Sequence, residues 1–199
     1  VLTLAIQTST RACGVALAHG TDLLLLREDP ERARRHAEVL TPLIASACAD
    51  VGLVLPDVER IVVDLGPGGF TGLRVGLASA RALGWALGIP VLGVSSLDLV
   101  RDPGADFLSV LDAGSGVYWA GWGQHALAPA WGRLPELIER LGGGRVRAGG
   151  TGARALAEAR DDVEVCHTRE PTAADLVRMA EGAGQARALS YLRPHYATK

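Results

Sequence analysis

Lysine is almost missing from this chain: among 199 residues Lys199 is the only one, and the other nineteen basic residues are arginine. We take that bias as genomic more than chemical. Twenty basic residues stand against 22 acidic ones, a formal net charge of -2. No basic run occurs, so the electrostatic footprint of a protein that binds nucleic acid by itself is missing. Cysteine is equally scarce. Cys13, Cys48 and Cys166 are odd in number, scattered and without a C-x-x-C pair, which excludes a disulfide framework and points to thiols in a reducing cytosol. The histidines, at 19, 36, 125, 167 and 195, show no H-E-x-x-H spacing, and no metal site is expected. There is no G-x-S-x-G elbow; Ser95-Ser96 lies at a strand end, and Asp98 beside it suits a helix cap. The N-terminus has no charged region ahead of an apolar core. The long apolar run from Leu73 to Leu92 is broken by glycines and carries Arg74 and Arg81, so neither a signal peptide nor a membrane span is expected.

What the chain has is hydrophobic content, 48% of residues, and 25 glycines, enough for one substantial core or two small ones. The pattern alternates strands and helices. Residues 2–7, 13–18 and 22–27 read as strands, the first two a hairpin around Thr8-Ser9-Thr10-Arg11. A helix over 36–51 follows, with Leu40, Leu43, Ile44 and Ala47 at helical spacing and Pro42 forcing a kink or a late start. Then come a strand at 60–65, a glycine turn, a helix to about Gly88 and a strand at 91–94. The second half partly repeats this order. Strands at 105–111 and 117–123 flank Asp112-Ala113-Gly114-Ser115-Gly116. Helices are read at 134–141, 152–160 and 172–184, the last opened by a Thr172/Asp175 capping box, with strands at 145–148 and 163–166 between them. The Asp102-Pro103-Gly104 turn marks a boundary, giving lobes 1–102 and 103–199, with the last residues packing back on the first.

The turn Gly66-Pro67-Gly68-Gly69-Phe70-Thr71-Gly72-Leu73-Arg74 joins an apolar strand to the longest helix, with Thr71 placed as an N-cap. Its unpartnered N–H groups suit either an anion or the close approach of another backbone. Gly72, Gly76, Ala80, Gly84 and Gly88 continue it as a smooth stripe at four-residue spacing. Interior glycine costs roughly 0.8 to 1 kcal/mol relative to alanine, so close packing must compensate, against the chain's own sheet or against a helix of another protein. Arg74 sits where the helix dipole disfavours a cation, which an acidic partner would explain. The hydroxyls of Thr8, Ser9 and Thr10 and the carboxylate of Asp112 lie in hairpin turns, where they satisfy local backbone or position phosphate and Mg²⁺.

The three-strand opening, His36-Ala37-Glu38-Val39-Leu40-Thr41-Pro42-Leu43-Ile44, the glycine turn to Arg74, Asp112-Ala113 with Val117-Tyr118-Trp119-Ala120, Gly150-Thr151-Gly152 and Tyr191-Leu192-Arg193 resemble the TsaB (YeaZ) family over nearly the whole length. The resemblance implies an α/β fold of the actin-like, Hsp70-like, sugar-kinase-like (ASKHA) class, with two related, unequal lobes. It implies a non-catalytic partner of TsaD, working with the ATPase TsaE, in adding threonylcarbamoyl to N6 of adenosine 37 in tRNAs that read codons beginning with A. TsaD holds its metal with a His-x-x-x-His pair where this chain has Ser96 and Val100. Folds of this class commonly carry Asp where this chain has Gln7, a poor Mg²⁺ ligand. No cofactor of its own is therefore expected, with ATP and Mg²⁺ at most weakly held by Thr8, Ser9, Thr10, Asp112, Gly114 and Gly150. The expected TsaD interface comprises Leu40, Leu43, Ile44, Ala47, Gly72, Arg74, Gly76, Leu77, Ala80, Arg81 and Gly84; the same surface would form a homodimer in TsaD's absence. The alternative function is an ATP-binding small kinase or ATPase using Asp112, and the expected location is the cytoplasm.

Overall fold

The computed structural model describes residues 1–29, 35–102 and 106–186. It divides the chain into two units, one of Val1–Leu99 with the segment from Pro171 onward, the other beginning at Val100 and running to Glu170. The sequence reading put the boundary at 102/103; Pro103 and Gly104 of the proposed turn, and the Tyr191-Leu192-Arg193 motif, lie outside the described residues.

The first unit is built on a sheet that mixes two kinds of pairing. Strands β1 (Leu2–Gln7), β2 (Cys13–His19) and β3 (Asp22–Asp29) form an antiparallel meander. β4 (Arg60–Asp64) runs parallel to β1, and β5 (Val91–Val94) runs parallel to β4. Alternation along β1 explains the two layers around this sheet. Leu2, Leu4 and Ile6 point with Val15, Leu17, Ile61 and Val63 into a core shared with helices α1 (His36–Asp50) and α2 (Phe70–Leu87). Ala5, Ala16, Ala18 and Val62 face the other way, onto Ala173, Leu176 and Val177 of α6 (Ala173–Met179). A short helix α3 (Ser96–Leu99) follows β5, and a two-residue strand at Gly184–Gln185 closes that edge. Arg60, almost buried, ties the returning segment to the sheet: its Nε donates to Thr3 Oγ1 at 2.7 Å, and its guanidinium meets Glu181 at 2.6 Å.

The second unit carries a five-stranded sheet. β6 (Phe107–Asp112), β7 (Val117–Trp122) and β8 (Leu127–Gly132) are antiparallel neighbours, while β9 (Val146–Gly149) and β10 (Val163–His167) lie parallel to β6. Leu108, Val110, Trp119, Val146 and Ala148 pack on α4 (Leu134–Leu141) and α5 (Ala153–Ala159). Each unit is thus a mixed sheet with flanking helices, an α/β arrangement as expected. Among the described residues no helix is long and apolar enough to cross a membrane.

Both hairpins, at Thr8–Arg11 and Asp112–Gly116, form as the sequence predicts. The Thr172 capping box is present in both directions: Asp175 N–H donates to Thr172 Oγ1 at 3.3 Å, and Thr172 N–H to Asp175 Oδ2 at 2.8 Å. Two local details differ. Of the two outcomes expected at Pro42 the late start does not occur, because α1 already begins at His36 and holds Pro42 inside its span on an exposed position, and α2 begins at Phe70 with Gly69, not Thr71, at the N-cap.

Candidate functional site

At the carboxyl ends of β1, β4 and β5 three segments converge: the loop after Gln7, the glycine turn after Asp64, and the start of α3. Gln7 is fully buried, and its amide donates to Ser9 Oγ at 2.9 Å and Thr10 Oγ1 at 3.3 Å. Two of the three hydroxyls that would cradle a phosphate, those of Ser9 and Thr10, are therefore engaged by the chain's own amide. The glycine turn completes the closure, because Gly69 N–H donates to the Ser9 carbonyl at 2.6 Å. Of the two roles open to that turn, backbone docking is the one realised.

The smooth stripe packs on the same loop. A Cβ on Gly72 would strike the Thr8 carbonyl oxygen, one on Gly76 the Thr8 hydroxyl, and one on Gly84 the side chain of Val91. Ala80 is wholly buried, and so are Leu40, Ile44, Ala47 and Leu77, to within 6%. These eight residues, expected at a partner interface, are instead the core between α1, α2 and the sheet. Their spacing marks a contact face correctly, but the contact is within the molecule, where close approach compensates the glycine cost. Leu43 is half-buried against that core. Only Arg74 and Arg81 of the expected interface stand on the exposed side. Arg74 stacks its guanidinium 3.8 Å from the centre of the Phe70 ring, which accounts for a cation in the first turn, and Arg81 donates to the Ala186 carbonyl at 3.0 Å.

What the sequence did not single out is Trp85, on the other side of α2 with Arg74 and Arg81. Thr71, Arg74, Ala78, Arg81, Ala82 and Trp85 are exposed, and Trp85 is 88% accessible. The helix contains no acidic residue. Beside it α1 exposes Thr41, Pro42, Ala45 and Ala49, small or uncharged, between the exposed carboxylates of Glu38 and Asp50 near its two ends. A tryptophan left in water on a surface of small residues is the usual anchor of a docking face.

A second feature escaped the sequence reading, which took 60–65 as an apolar strand. Asp64 is completely buried; its Oδ1 accepts from Gly66 N–H at 2.7 Å and from the Ser96 hydroxyl at 2.6 Å. Its Oδ2 has no hydrogen-bond partner, nor has the hydroxyl of Thr8. Burial pushes the Asp64 carboxyl above its ordinary value, opposed by the hydroxyls of Ser9 and Ser96 and by Gly66 N–H. Ser95 caps α3, its Oγ accepting from Leu97 N–H at 3.3 Å, so the Ser95-Ser96 pair is structural.

In the second unit Asp112 is likewise occupied locally: its Oδ1 accepts from Gly114 N–H at 2.8 Å, and its own N–H donates to Thr151 Oγ1 at 2.8 Å. Gly150 takes a positive φ of 103° against the Val110 carbonyl, and its N–H reaches His167 Nδ1 at 3.3 Å. The six residues expected to hold nucleotide thus fall into two sets, Thr8 to Thr10 in the first unit and Asp112, Gly114 and Gly150 in the second. The first set does not fit a Mg²⁺-phosphate group, since it has no carboxylate, the Ser9 and Thr10 hydroxyls are engaged by Gln7, the Ser9 carbonyl is taken by the glycine turn, and the partnerless Thr8 hydroxyl is buried against Gly76. Among the described residues no three His, Cys, Asp or Glu side chains converge as metal ligands would.

Comparison with known proteins fits this geometry. Residues 29–121 match the TsaD family model, described as tRNA N6-adenosine threonylcarbamoyltransferase. An uncharacterized protein of Mycobacterium tuberculosis is 49% identical over 120 residues, covering 59% of this chain and 57% of the relative. The Bacillus subtilis protein named tRNA threonylcarbamoyladenosine biosynthesis protein TsaB is 32% identical over 126 residues, 61% of this chain and 55% of its own. The chain thus spans a little over half the length of these curated relatives. The structure of YeaZ from Pseudomonas aeruginosa, 25% identical, superposes with a TM-score of 0.75 over 96% of this chain and 100% of that one. The relatives named TsaB and the end-to-end likeness to YeaZ, on a fold whose glycine turn docks on its own first loop, make the chain similar to the TsaB (YeaZ) family.

Proposed function

We propose that this chain is a non-catalytic, cytoplasmic subunit in the biosynthesis of threonylcarbamoyladenosine in tRNA, pairing with TsaD in a complex that TsaE joins. The observation that supports this reading is the closed first loop, in which Gln7 engages the Ser9 and Thr10 hydroxyls and the Ser9 carbonyl takes the Gly69 N–H. A protein like these without a phosphate cradle contributes by binding its partner, and the outer faces of α1 and α2, with Trp85 in the last turn of α2, are the surface we assign to TsaD. It acts without a metal or nucleotide of its own and meets tRNA through the complex.

The test is reconstitution of tRNA modification from purified components. Modification should require this chain, tolerate Asp112→Ala, and fall at least about tenfold with Trp85→Ala, in step with lost co-purification of TsaD. ATP turnover by the isolated chain, abolished by Asp112→Ala, would favour the kinase or ATPase reading instead.

A further inference from the structure

Helix α1 is held by its packing more than by its own sequence. Arg35 at its N-cap makes no side-chain capping bond, and Asp50 stands in a last turn that has no basic residue, where the helix dipole disfavours a carboxylate. Pro42 lies past the first turn, inside a helix that continues to Asp50. There a proline withholds the N–H that the ladder uses and sets its ring against the carbonyl four residues back, which makes it the most destabilising residue a helix interior can hold.

Among the described residues nothing in the core calls for it. Val39, Leu40, Ile44, Ala47 and Cys48 carry the packing of α1, whereas Pro42 is exposed and belongs to no buried cluster. It neither opens nor ends the helix. A residue that breaks a local rule with no return inside the fold marks a position set by function. Its place is the outer face: Thr41, Ala45 and Ala49 share that face, Glu38 and Asp50 stand toward the two ends, and α2 with Trp85 lies alongside. The ring is closed on the backbone, so burying it forfeits no rotamer freedom, and it presents hydrocarbon without a donor.

Resting on the assignment of this face to TsaD, we propose that Pro42 is a specificity-determining contact, a rigid apolar knob over which an apolar side chain of TsaD closes. Both helices fall within residues 29–121, the stretch that matches the TsaD family model, so the occupant is a protein with its own counterpart of this helix pair, able to pack helix on helix. The contact explains why α1 keeps a residue that weakens it. The consequence is an opposition at one position: taking the ring away improves the helix and impairs the complex. A proline that serves only the fold does not give that combination.

The experiment titrates TsaD into the dilute, fluorescently labelled full chain, followed by anisotropy, with Tm measured by calorimetry on the same preparations. Pro42→Ala should raise Tm by about 3 °C or more and weaken TsaD binding about tenfold. Pro42→Val restores the N–H but keeps a compact apolar side chain of similar volume, and should bind within about threefold of wild type. A Pro42→Ala variant that binds TsaD as tightly as wild type overturns the proposal. So does one whose Tm falls, since the proline then serves the helix, or a Pro42→Val variant as weak as Pro42→Ala, since apolar bulk is then not the contact. Failure of the underlying assignment looks different: TsaD then ignores the wild-type chain, or binds it with neither Trp85→Ala nor Pro42→Ala mattering. A complex that Trp85→Ala weakens and Pro42→Ala does not leaves the face with TsaD and removes only the role of Pro42.

Discussion

Replacing Asp64 by asparagine is expected to flatten the pH dependence of stability without disturbing the fold. The carboxyl is fully buried and held above its ordinary 3.8 by desolvation, so the folded protein binds its proton more tightly than the unfolded chain does. The sign follows: that stabilisation is complete below 3.8 and is lost as pH rises through the folded-state value, at up to about 1.4 kcal/mol per pH unit for one proton. Asparagine keeps an oxygen for Gly66 N–H and Ser96 Oγ–H and places an uncharged amide where Oδ2 has no partner. In urea titrations followed by far-ultraviolet circular dichroism from pH 4 to 9, the difference between wild type and Asp64→Asn should favour the variant increasingly as pH rises. Asp64→Ala strands two buried donors and should cost about 2 to 4 kcal/mol at every pH. A difference curve that is flat, or that runs the other way, would refute the claim that burial dominates this carboxyl.

Gly76→Ala should cost about 1 to 3 kcal/mol and lower Tm by about 3 to 10 °C, measured by calorimetry, because its Cβ meets the Thr8 hydroxyl inside the fold; unchanged stability would mean that α2 rides higher on the loop. Burial, with Asp29 adding to it, pushes the Cys13 thiol up to about 11, and burial likewise raises Cys48. Ellman's reagent at pH 8 should then label the half-exposed Cys166 alone in the folded protein, and Cys166→Ser should abolish that fast phase.

Periodicity made most of the fold legible. The turn residues between 7 and 13 and between 112 and 117, and the Thr172/Asp175 pair, specify their structures through neighbours in sequence, which is why they could be read directly. Strand β8 was missed because Pro129 and the short run Leu127–Gly132 carry no alternation; it forms as an edge strand, where a missing N–H is tolerated. The stripe on α2 shows the limit more clearly. Spacing says that Gly72, Gly76, Ala80 and Gly84 share a face, but not whether that face meets the chain itself or another molecule. The large hydrophobic residue that α2 exposes, Trp85, is one that composition would bury. Asp64 was hidden for a similar reason: in a β-branched run an acid reads as the strand's end, and only the convergence of Ser96, Gly66 and the first loop, far apart in sequence, makes it a hub.

The return of α6 to the first sheet makes the second unit an insertion, threaded between Leu99 and Pro171 of the first. Among the described residues the alanine-rich underside of that sheet, Ala5, Ala16 and Ala18, is covered chiefly by residues 173–180, with Leu99 beside them. During synthesis the amino-terminal half must therefore wait with this surface bare until nearly all of the described chain has left the ribosome. A fragment cut at residue 102 would inherit the same bare surface permanently, so the two halves are separable in architecture but not in biogenesis.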